Sequence, residues 1–536
     1  MKRRFGASLL LVAALALGST ACSDPTATTT SGGSGKDTLN VYLYQKPKRF
    51  SPLDTFQGAD QQVMSLIFDN LVTVDDQYGY EPRLAEKWDI SPDGGTYTFH
   101  LRKGLKWSDG KPFTAKDVLF TYQLLVNPKV SDGMAGRLAN VAGVTEFADG
   151  KAQNVSGLSA PDENTFVVKL ASPDRGFLSA IGGGAYAYIL PEHVLGGVPV
   201  EQLKDHTFWS EPKVGMGPYT FVSYKTDQYV EVAANPNFRE PASIKKIFLK
   251  PVTSDVATAQ LGTGEMDLAQ ISATDVKTVE GQKNLKLVSN EAPGFVRIAL
   301  NQTQPRFADP RVRQAFLYAI DRKSFVDKSL AGHAKVPNSV LQGTFVPDGI
   351  NAYPYDPQKA KALLGEARWD SSKPVRLAWI PGTRDRDEFV TLVQSQLSAV
   401  GVKVELQQVQ AAQIGEIQAK GDFDMNLFGG GLYLVDGSSA FPVLSCTAFA
   451  PKSGNIPRFC DQQIDQLLTQ AGAEVDESKR DELYQQITKR DNELVSYLWA
   501  YSPDTLWAHN TKLTGFTGHG EFTLGFWNAY KWKISG

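Results

Sequence analysis

The sequence predicts an α/β protein built from more than one lobe. Stretches with strand-like alternation and stretches with helical spacing follow one another along the chain, and neither heptads nor a fixed repeat occurs. A chain of 536 residues is too long for one hydrophobic core, so its length alone indicates roughly two to four lobes.

Local patterns place the individual elements. Alternation of β-branched and aromatic residues predicts strands at Leu39–Leu43, Thr96–Leu101, Asn164–Leu170, Tyr229–Ala233 and Asp424–Phe428. Helical spacing of apolar residues predicts helices at Gln62–Leu71 and in the stretches that follow Thr114, Asp309, Asp461 and Ser478. Those last four residues are predicted to cap their helices, with Asp117 and Asp481 completing capping pairs for Thr114 and Ser478.

Composition narrows the functional classes. Hydrophobic residues make up 42% and charged residues 21% of the chain, as in ordinary globular proteins. The net charge is −3, and Lys and Arg are scattered among Asp and Glu. A nucleic-acid surface needs a concentrated basic patch, so no nucleic-acid partner is expected.

The N-terminus predicts export. Residues 2–4 are basic, and Leu9–Leu17 is an apolar run too short to span a bilayer permanently. Small residues then precede Cys22, as in a bacterial lipobox, whose cysteine is lipidated and becomes the mature N-terminus. Residues 1–21 are therefore predicted to be a signal peptide, and residues 22–36 a lipid-anchored cysteine and a flexible Ser/Thr/Gly tether. Ser19 replaces the preferred Leu, so cleavage without lipidation is the alternative.

Residues 85–122, AEKWDISPDGGTYTFHLRKGLKWSDGKPFTAKDVLFTY, combine a strand, a dense turn signal and a capped helix. This sequence closely resembles the signature of the family 5 solute-binding proteins of ABC importers, which comprise the oligopeptide- and dipeptide-binding proteins and their relatives. Similar matches continue towards the C-terminus, at residues 189–194, 215–221, 261–267 and 301–322.

The resemblance implies a two-lobed periplasmic-binding-protein-like fold of type II, in its large three-domain variety, with a hinge and a ligand cleft between the lobes. It implies a discontinuous domain I, an inserted domain II and a domain III across the hinge. The expected boundaries are 37–70, 207–292 and 502–536 for domain I, 71–206 for domain II and 293–501 for domain III.

The resemblance also implies a function. The chain is expected to be a monomeric extracytoplasmic lipoprotein on the outer face of the cell membrane, or free in the periplasm, that captures peptides and delivers them to ABC permease subunits. An oligosaccharide or a metal chelate is the alternative ligand within the family. A secreted hydrolase is the alternative of another class, and it would need a nucleophile and a base in one cleft.

Motifs for catalysis or cofactor binding are not found in the sequence. Five residues separate Gly104 from Gly110, one more than a phosphate loop has, and Pro112 stands where that loop needs Ser or Thr. The six histidines are widely scattered, with no pair at metal-ligand spacing. No enzyme activity, metal or cofactor is therefore expected.

The tract 422–441, DFDMNLFGGGLYLVDGSSAF, is the most informative for ligand binding. Glycines after a strand allow a close backbone approach, and in the resembled family this strand end lines the cleft. Peptide-binding members place an Asp just beyond it for the ligand's amino terminus, because a buried ammonium needs a carboxylate. Ungapped alignment puts Tyr433 there, and Asp436 fits only with a short insertion; a plain turn at 436–438 is the alternative. Gly430 or Gly431 replaces the family's Trp.

Further cleft residues are expected from their positions in the family. Phe56, Gln57 and Gly58 lie in the early loop, and Arg384 with Asp385 lies where peptide binders often hold charged groups. Trp499 and Tyr501 lie near the last crossing between domains, where aromatic rings can stack on sugars. Core packing is the alternative for the rings, and a solvated loop is the alternative for the charged pair.

Two cysteines remain besides Cys22. Cys446 and Cys460 lie close in an exported chain, which predicts a disulfide, with two buried thiols as the alternative.

Overall fold

The computed structural model describes residues 37–43, 45–53, 58–75, 79–130, 138–182, 187–292, 294–431, 437–518 and 525–535. The strands are β1 (Thr38–Leu43), β2 (Val72–Val74), β3 (Tyr80–Pro82), β4 (Ala85–Ile90), β5 (Thr96–Leu101), β6 (Leu158–Asp162), β7 (Thr165–Lys169), β8 (Tyr219–Lys225), β9 (Tyr229–Ala234), β10 (Lys246–Pro251), β11 (Leu268–Gln270), β12 (Leu285–Glu291), β13 (Gly294–Leu300), β14 (Ala334–Lys335), β15 (Val375–Trp379), β16 (Val404–Gln408), β17 (Met425–Gly431), β18 (Leu498–Asn510), β19 (Leu513–Thr514) and β20 (Lys533–Ile534).

The helices are α1 (Gly58–Ile67), α2 (Ala115–Leu125), α3 (Val144–Ala148), α4 (Phe177–Ile181), α5 (Glu192–Leu195), α6 (Val200–Leu203), α7 (Ser254–Thr263), α8 (Val276–Glu280), α9 (Pro305–Ala308), α10 (Pro310–Ala319), α11 (Arg322–Ser329), α12 (Pro357–Glu366), α13 (Arg384–Ala399), α14 (Ala411–Lys420), α15 (Phe441–Leu444), α16 (Gln462–Ala473) and α17 (Glu477–Leu494).

One mixed sheet of twelve strands runs through the molecule in the order β16-β15-β17-β13-β18-β11-β1-β10-β9-β8, with β12 and β14 also paired to β18. The long strand β18 joins its two halves. Leu498–Tyr501 pair with β13, whereas Asp504–Asn510 pair with β12 and, in part, with β11. We call the half with residues 294–501 the second lobe and the remainder the first lobe.

The first lobe also holds the four-stranded antiparallel sheet β4-β5-β7-β6. In β5 the alternation TYTFHL buries Tyr97, Phe99 and Leu101 and leaves the residues between them partly exposed. Helix α2 packs here, and the rings of Tyr122 and Phe166 lie 5.0 Å apart. The stretch 85–122 thus folds as a hairpin and a helix that share one core with β1, α1 and the C-terminal segment.

The second lobe buries apolar residues on both faces of its part of the sheet. Val296, Ile298 and Leu300 of β13 belong to a core with α10 and α13. Phe295 and Ala299 belong to a core on the opposite face, with α16 and α17. A fully buried central strand is expected to be almost wholly apolar, which makes the charged residue between them, Arg297, an exception.

Three of the predicted caps are confirmed. The Thr114 side chain caps α2, and the Asp117 carboxylate accepts a hydrogen bond from the Thr114 N–H at 2.9 Å. Asp309 caps α10 ahead of Pro310, and Asp461 accepts from the Ile464 N–H at 3.0 Å. The predicted cap at Ser478 is wrong, because α17 begins at Glu477 and Asp476 accepts from the Lys479 N–H at 3.1 Å. A carboxylate at the cap interacts favourably with the positive helix end, so the helix starts earlier.

The helix predicted at Gln62–Leu71 lies further towards the N-terminus, at Gly58–Ile67. The chain leaves the helix because the carbonyls of Asn70 and Leu71 accept hydrogen bonds from the N–H groups of Leu84 and Arg83. The strand predicted at Asp424–Phe428 is longer than expected, because β13 pairs with the glycines as far as Gly431.

Cys446 and Cys460 are joined by a disulfide between α15 and α16, with Cα atoms 4.6 Å apart. Within the described ranges no helix combines the length and the apolar character needed to cross a membrane.

Candidate functional site

The two lobes are connected at a crossing formed by the end of β12, the start of β13, and β14 with the middle of β18. The Ser502 hydroxyl lies 3.1 Å from the carbonyl oxygen of Ala292 and 2.6 Å from that of Gly294. Its single hydrogen is shared between these two acceptors. The Asp504 N–H donates to the His333 carbonyl at 3.0 Å. The segments that connect the lobes are therefore held together largely by hydrogen bonds to backbone carbonyl groups.

The lobes also meet at a second place. Ser438, just before α15 in the second lobe, lies 3.4 Å from Ser179 of α4, measured between the hydroxyl oxygens. A Cβ placed on Gly176 would come within 2.6 Å of the Ser438 hydroxyl, so the backbone of the first lobe approaches the serine closely. Because the lobes touch both here and at the crossing, the space between them is bounded at two places.

Strand β17 leads to this interlobe region and carries an unpaired edge. On one side it pairs with β13 as far as Gly431. On the other side its pairing with β15 ends at Asn426. Residues 427–431 therefore present backbone N–H and C=O groups on an edge that no strand of the described chain covers. Unpaired edges of this kind accept an added strand.

The glycines at the end of β17 have different surroundings. A Cβ on Gly429 would come within 2.2 Å of the Arg386 Nη2 atom, so the guanidinium of α13 lies directly against the strand. A Cβ on Gly430 would have no heavy atom of the described chain within 4 Å, and Gly430 is exposed. Within the described chain, space therefore opens on the Gly430 face.

Some of the sequence-predicted site residues lie at the ends of helices and strands, and others fall outside the part of the chain that the structure describes. Gly58, Gly430 and Gly431 lie at the ends of α1 and β17. Phe56, Gln57, Tyr433, Asp436 and Cys22 lie outside the described residues. Their roles, including an amine anchor at Asp436, stay predictions.

Arg384 and Asp385 begin α13 and point to different partners. Arg384 is 74% exposed and pairs with Glu388 at 2.9 Å, beside a depression of about 560 Å³. Asp385 accepts a hydrogen bond from the Tyr501 hydroxyl at 2.7 Å. Burial, with Asp385 adding to it, raises the pKa of the Tyr501 phenol above its usual range, so the hydroxyl stays protonated and donates. The structure thus joins two of the predicted residues, Asp385 and Tyr501.

Trp499 and Tyr501 are both enclosed in the second lobe. Trp499 is 1% exposed and Tyr501 is fully buried. Trp499 packs against Phe295 with ring centres 5.1 Å apart, and Tyr501 packs against Phe325 at 5.2 Å. In this conformation neither ring offers a free face for stacking, so their role as ligand contacts stays a prediction.

Sequence reasoning missed Arg297, whose guanidinium lies in an aromatic cage. Its central carbon is 4.7 Å from the ring centre of Phe428, 5.0 Å from that of Tyr497 and 5.8 Å from that of Trp499. The residue is 5% exposed, and its Nε and Nη1 atoms have no hydrogen-bond partner in the described chain. The signal was present as a single charge in the apolar strand GFVRIAL.

A cluster of metal ligands is not found in the part of the chain that the structure describes. No group of three or more His, Cys, Asp or Glu side chains there is arranged to hold a metal ion. The features that stand out are the unpaired strand edge, the open position at Gly430 and the unpaired Arg297, and they are suited to binding.

Comparison with solved structures places the fold. The oligopeptide-binding protein AppA of Bacillus subtilis, solved in complex with a nonapeptide, matches with a TM-score of 0.76 at 25% identity, covering 94% of this chain and 99% of AppA. NikZ of Campylobacter jejuni, solved with Ni(L-His), matches with a TM-score of 0.77 at 24% identity, covering 93% of this chain and 99% of NikZ. These matches confirm the predicted α/β fold of periplasmic binding proteins.

Comparison with sequences places the family. A protein of Brucella ovis, provisionally named an ABC transporter peptide-binding protein, is 33% identical over 476 residues, which span 86% of this chain and 85% of its own. The AppA sequence is 28% identical over the whole of both chains. The family model described as bacterial extracellular solute-binding proteins, family 5 Middle, matches residues 79–450. The resemblance seen in the sequence is confirmed, and the chain belongs to family 5 of the bacterial extracellular solute-binding proteins.

Proposed function

We propose that the chain captures peptides outside the cytoplasm, between its two lobes, and delivers them to the permease of an ABC importer. Members of its family bind solutes and are not enzymes, and the same is proposed here. The observation that carries the peptide assignment is the unpaired edge of β17 at residues 427–431. AppA, which was solved with a nonapeptide, matches almost the whole chain and supports the same class of ligand.

The physical basis is strand addition. An extended peptide laid along this edge exchanges main-chain hydrogen bonds with it, and such bonds are independent of the peptide's sequence. Gly430 keeps the adjacent face open, so side chains of different sizes fit beside the strand. The arrangement therefore favours a ligand with a regular amide backbone over a sugar.

Binding is coupled to closure in this proposal. A ligand that contacts both lobes stabilises the arrangement in which they meet, and the contact between Ser179 and Ser438 belongs to that arrangement. One chain contains both walls of the cleft, so we propose that it works as a monomer. The boundaries predicted for domains I, II and III are kept as part of the proposal.

The test uses the purified mature protein and a synthetic hexapeptide library with free termini. Native mass spectrometry is expected to show one peptide bound per chain. A matched library in which every second amide nitrogen is methylated is expected to bind about tenfold more weakly or worse, because it loses donors to the strand edge; a tenfold loss corresponds to about 1.4 kcal/mol. Failure of both libraries, with binding of cellohexaose instead, would show that the peptide assignment is wrong.

We also propose that Cys22 is lipidated and holds the protein at the membrane. The support is the lipobox-like sequence and the Ser/Thr/Gly tether that follows it. Cys22→Ala is expected to move the protein from the membrane to the soluble fraction, because the tether offers no other apolar anchor. Ser19→Leu, which restores the preferred lipobox residue, serves as the control and should stay bound. A Cys22→Ala protein that remains in the membrane fraction would contradict lipidation.

A further inference from the structure

Arg297 differs from the other buried arginines of the second lobe. Arg313 donates to four carbonyls, those of Phe307, Ala308, Leu494 and Val495. Arg322 donates to the carbonyls of Pro337, Ala352, Tyr353 and Trp499. These two side chains hold the backbone together, whereas Arg297 makes no such bond within the described chain.

The aromatic cage only partly compensates the Arg297 charge. Ring faces attract a cation, but they supply no oxygen to accept from its N–H groups. Buried charges in proteins are paired, since an unpaired one is costly. Burial lowers the pKa of Arg297, and the nearby Tyr497 only partly opposes this. The Nε and Nη1 atoms of Arg297 therefore remain able to donate hydrogen bonds to an anion.

Gly430, which has open space beside it in the described chain, lies on the same face of the sheet as the aromatic cage. Residues directly opposite in a ladder share a face, as do residues two apart in a strand. Arg297 pairs with Phe428, and Phe295 pairs with Gly430, so Arg297 and Gly430 belong to one face. Phe428 is only half-buried, and no heavy atom of the described chain lies within 4 Å of where a Gly430 Cβ would be. A group entering beside β17 at Gly430 thus approaches the guanidinium past the edge of the Phe428 ring.

We propose that Arg297 binds a carboxylate of the captured ligand, with Phe428, Tyr497 and Trp499 forming the walls of the subsite. A carboxylate is planar, carries the opposite charge and accepts two N–H bonds from a guanidinium. The inference rests on the proposed peptide function, which supplies two sources of this group. One is the C-terminus of the peptide, and the other is an Asp or Glu side chain.

The experiment compares three hexapeptide libraries on the purified mature protein. The first has free C-termini and lacks Asp and Glu. The second has C-terminal amides and contains Asp and Glu. The third has C-terminal amides, lacks Asp and Glu, and so has no carboxylate. One of the first two is expected to bind about thirty-fold or more tightly than the third, as for a buried charge pair that loses one partner, and the one that does identifies the source.

Arg297→Gln should bind the three libraries equally, and Arg297→Lys should retain part of the preference. Arg386→Gln tests the other candidate arginine, since Arg386 lies against Gly429 on the opposite face of the same strand and its Nε atom also lacks a partner in the described chain. If Arg297 holds the carboxylate, Arg386→Gln keeps the preference. Arg311→Gln, which removes an exposed partner of Asp309, is the control and should behave as the wild type. Equal binding of all libraries by the wild type would overturn the inference and leave the peptide function standing. Loss of the preference in Arg386→Gln alone would also overturn it. Binding of no library would refute both. The wild-type comparison decides even if Arg297→Gln does not fold.

Discussion

Replacing Asp69 with alanine is expected to lower the free energy of unfolding by about 3–5 kcal/mol, the range for breaking a buried ion pair by removing one partner. The Asp69 side chain is 4% exposed and holds two arginines from distant parts of the chain. One oxygen accepts from Arg83 Nε at 2.8 Å, and the other accepts from Arg239 Nη1 at 2.8 Å.

The charges of this cluster, defined as Asp69, Arg83 and Arg239, stabilise one another. Burial alone would raise the pKa of Asp69, but the two arginines lower it below its usual value, so the carboxylate is ionised. Arg83 also donates to the carbonyl of Trp527 at 3.2 Å, and both guanidinium groups lie within 6 Å of the Tyr530 ring centre. Removing the carboxylate leaves Arg83 buried without its counter-charge and loosens the C-terminal segment.

Urea unfolding followed by circular dichroism measures the loss. Asp327→Ala is the control, since it removes an exposed partner of Lys323 and should cost about 0–1 kcal/mol. In an Arg239→Met background Asp69→Ala should cost less than in the wild type, because residues in one network are not additive. A loss for Asp69→Ala as small as that of the control would show that the cluster is not a stabilising element.

Local signals could be predicted from the sequence because they depend on neighbours in the chain. Thr114 and Asp117 are three residues apart, and their capping box needs no distant partner. The glycines at 429–431 were recognised as unusual because the residue type itself is informative. The environment of Arg297 could not be predicted because it is formed by Phe428, Tyr497 and Trp499, which lie more than a hundred positions away in the sequence. The same holds for Asp69, whose partner Arg239 is also distant in the sequence.

The burial of Trp499 and Tyr501 shows a further limit of prediction from the sequence. In a regular strand two residues that are two apart lie on one face, so Trp499 and Tyr501 would be expected to pack on the same side of the sheet. In the structure the pairing with β13 shifts register between Val296 and Arg297. An extra residue in a strand reverses the faces beyond it, so Trp499 joins the core of α16 and α17 while Tyr501 joins that of α10 and α13. Such an irregularity has no signature in the composition of the strand.

A second large effect is expected at Asp491, whose substitution by asparagine should stabilise the protein near neutral pH. Asp491 lies on α17 and is fully buried. It accepts hydrogen bonds from the Val340 N–H at 2.8 Å and from the Ser496 hydroxyl. Burial raises its pKa to about 6, against the bonds that favour the charged form. The ordinary value in an unfolded chain is about 3.9.

The direction in which stability changes with pH follows from the number of protons that Asp491 binds in the folded and in the unfolded state. Between about pH 4 and pH 6 the folded protein binds more protons at this site than the unfolded chain, so the contribution of Asp491 to stability is complete below about pH 4 and is lost as the pH rises through 6. A shift of about two pKa units corresponds to about 3 kcal/mol. Asparagine does not titrate, and its amide can accept from Val340 and donate to Ser496.

The stability of Asp491→Asn relative to the wild type should therefore rise by about 3 kcal/mol between pH 4 and pH 7 and stay constant above that. Urea titrations at a series of pH values measure this difference. Asp461→Asn is the control, and its effect on stability should have the opposite sign. Burial would raise the pKa of Asp461, but Arg490 and the Ile464 N–H lower it below the usual value. The charged carboxylate therefore stabilises the folded state, and Asp461→Asn should be less stable than the wild type above about pH 5. Parallel stability curves for Asp491→Asn and the wild type from pH 4 to pH 7 would show that Asp491 does not titrate in this window.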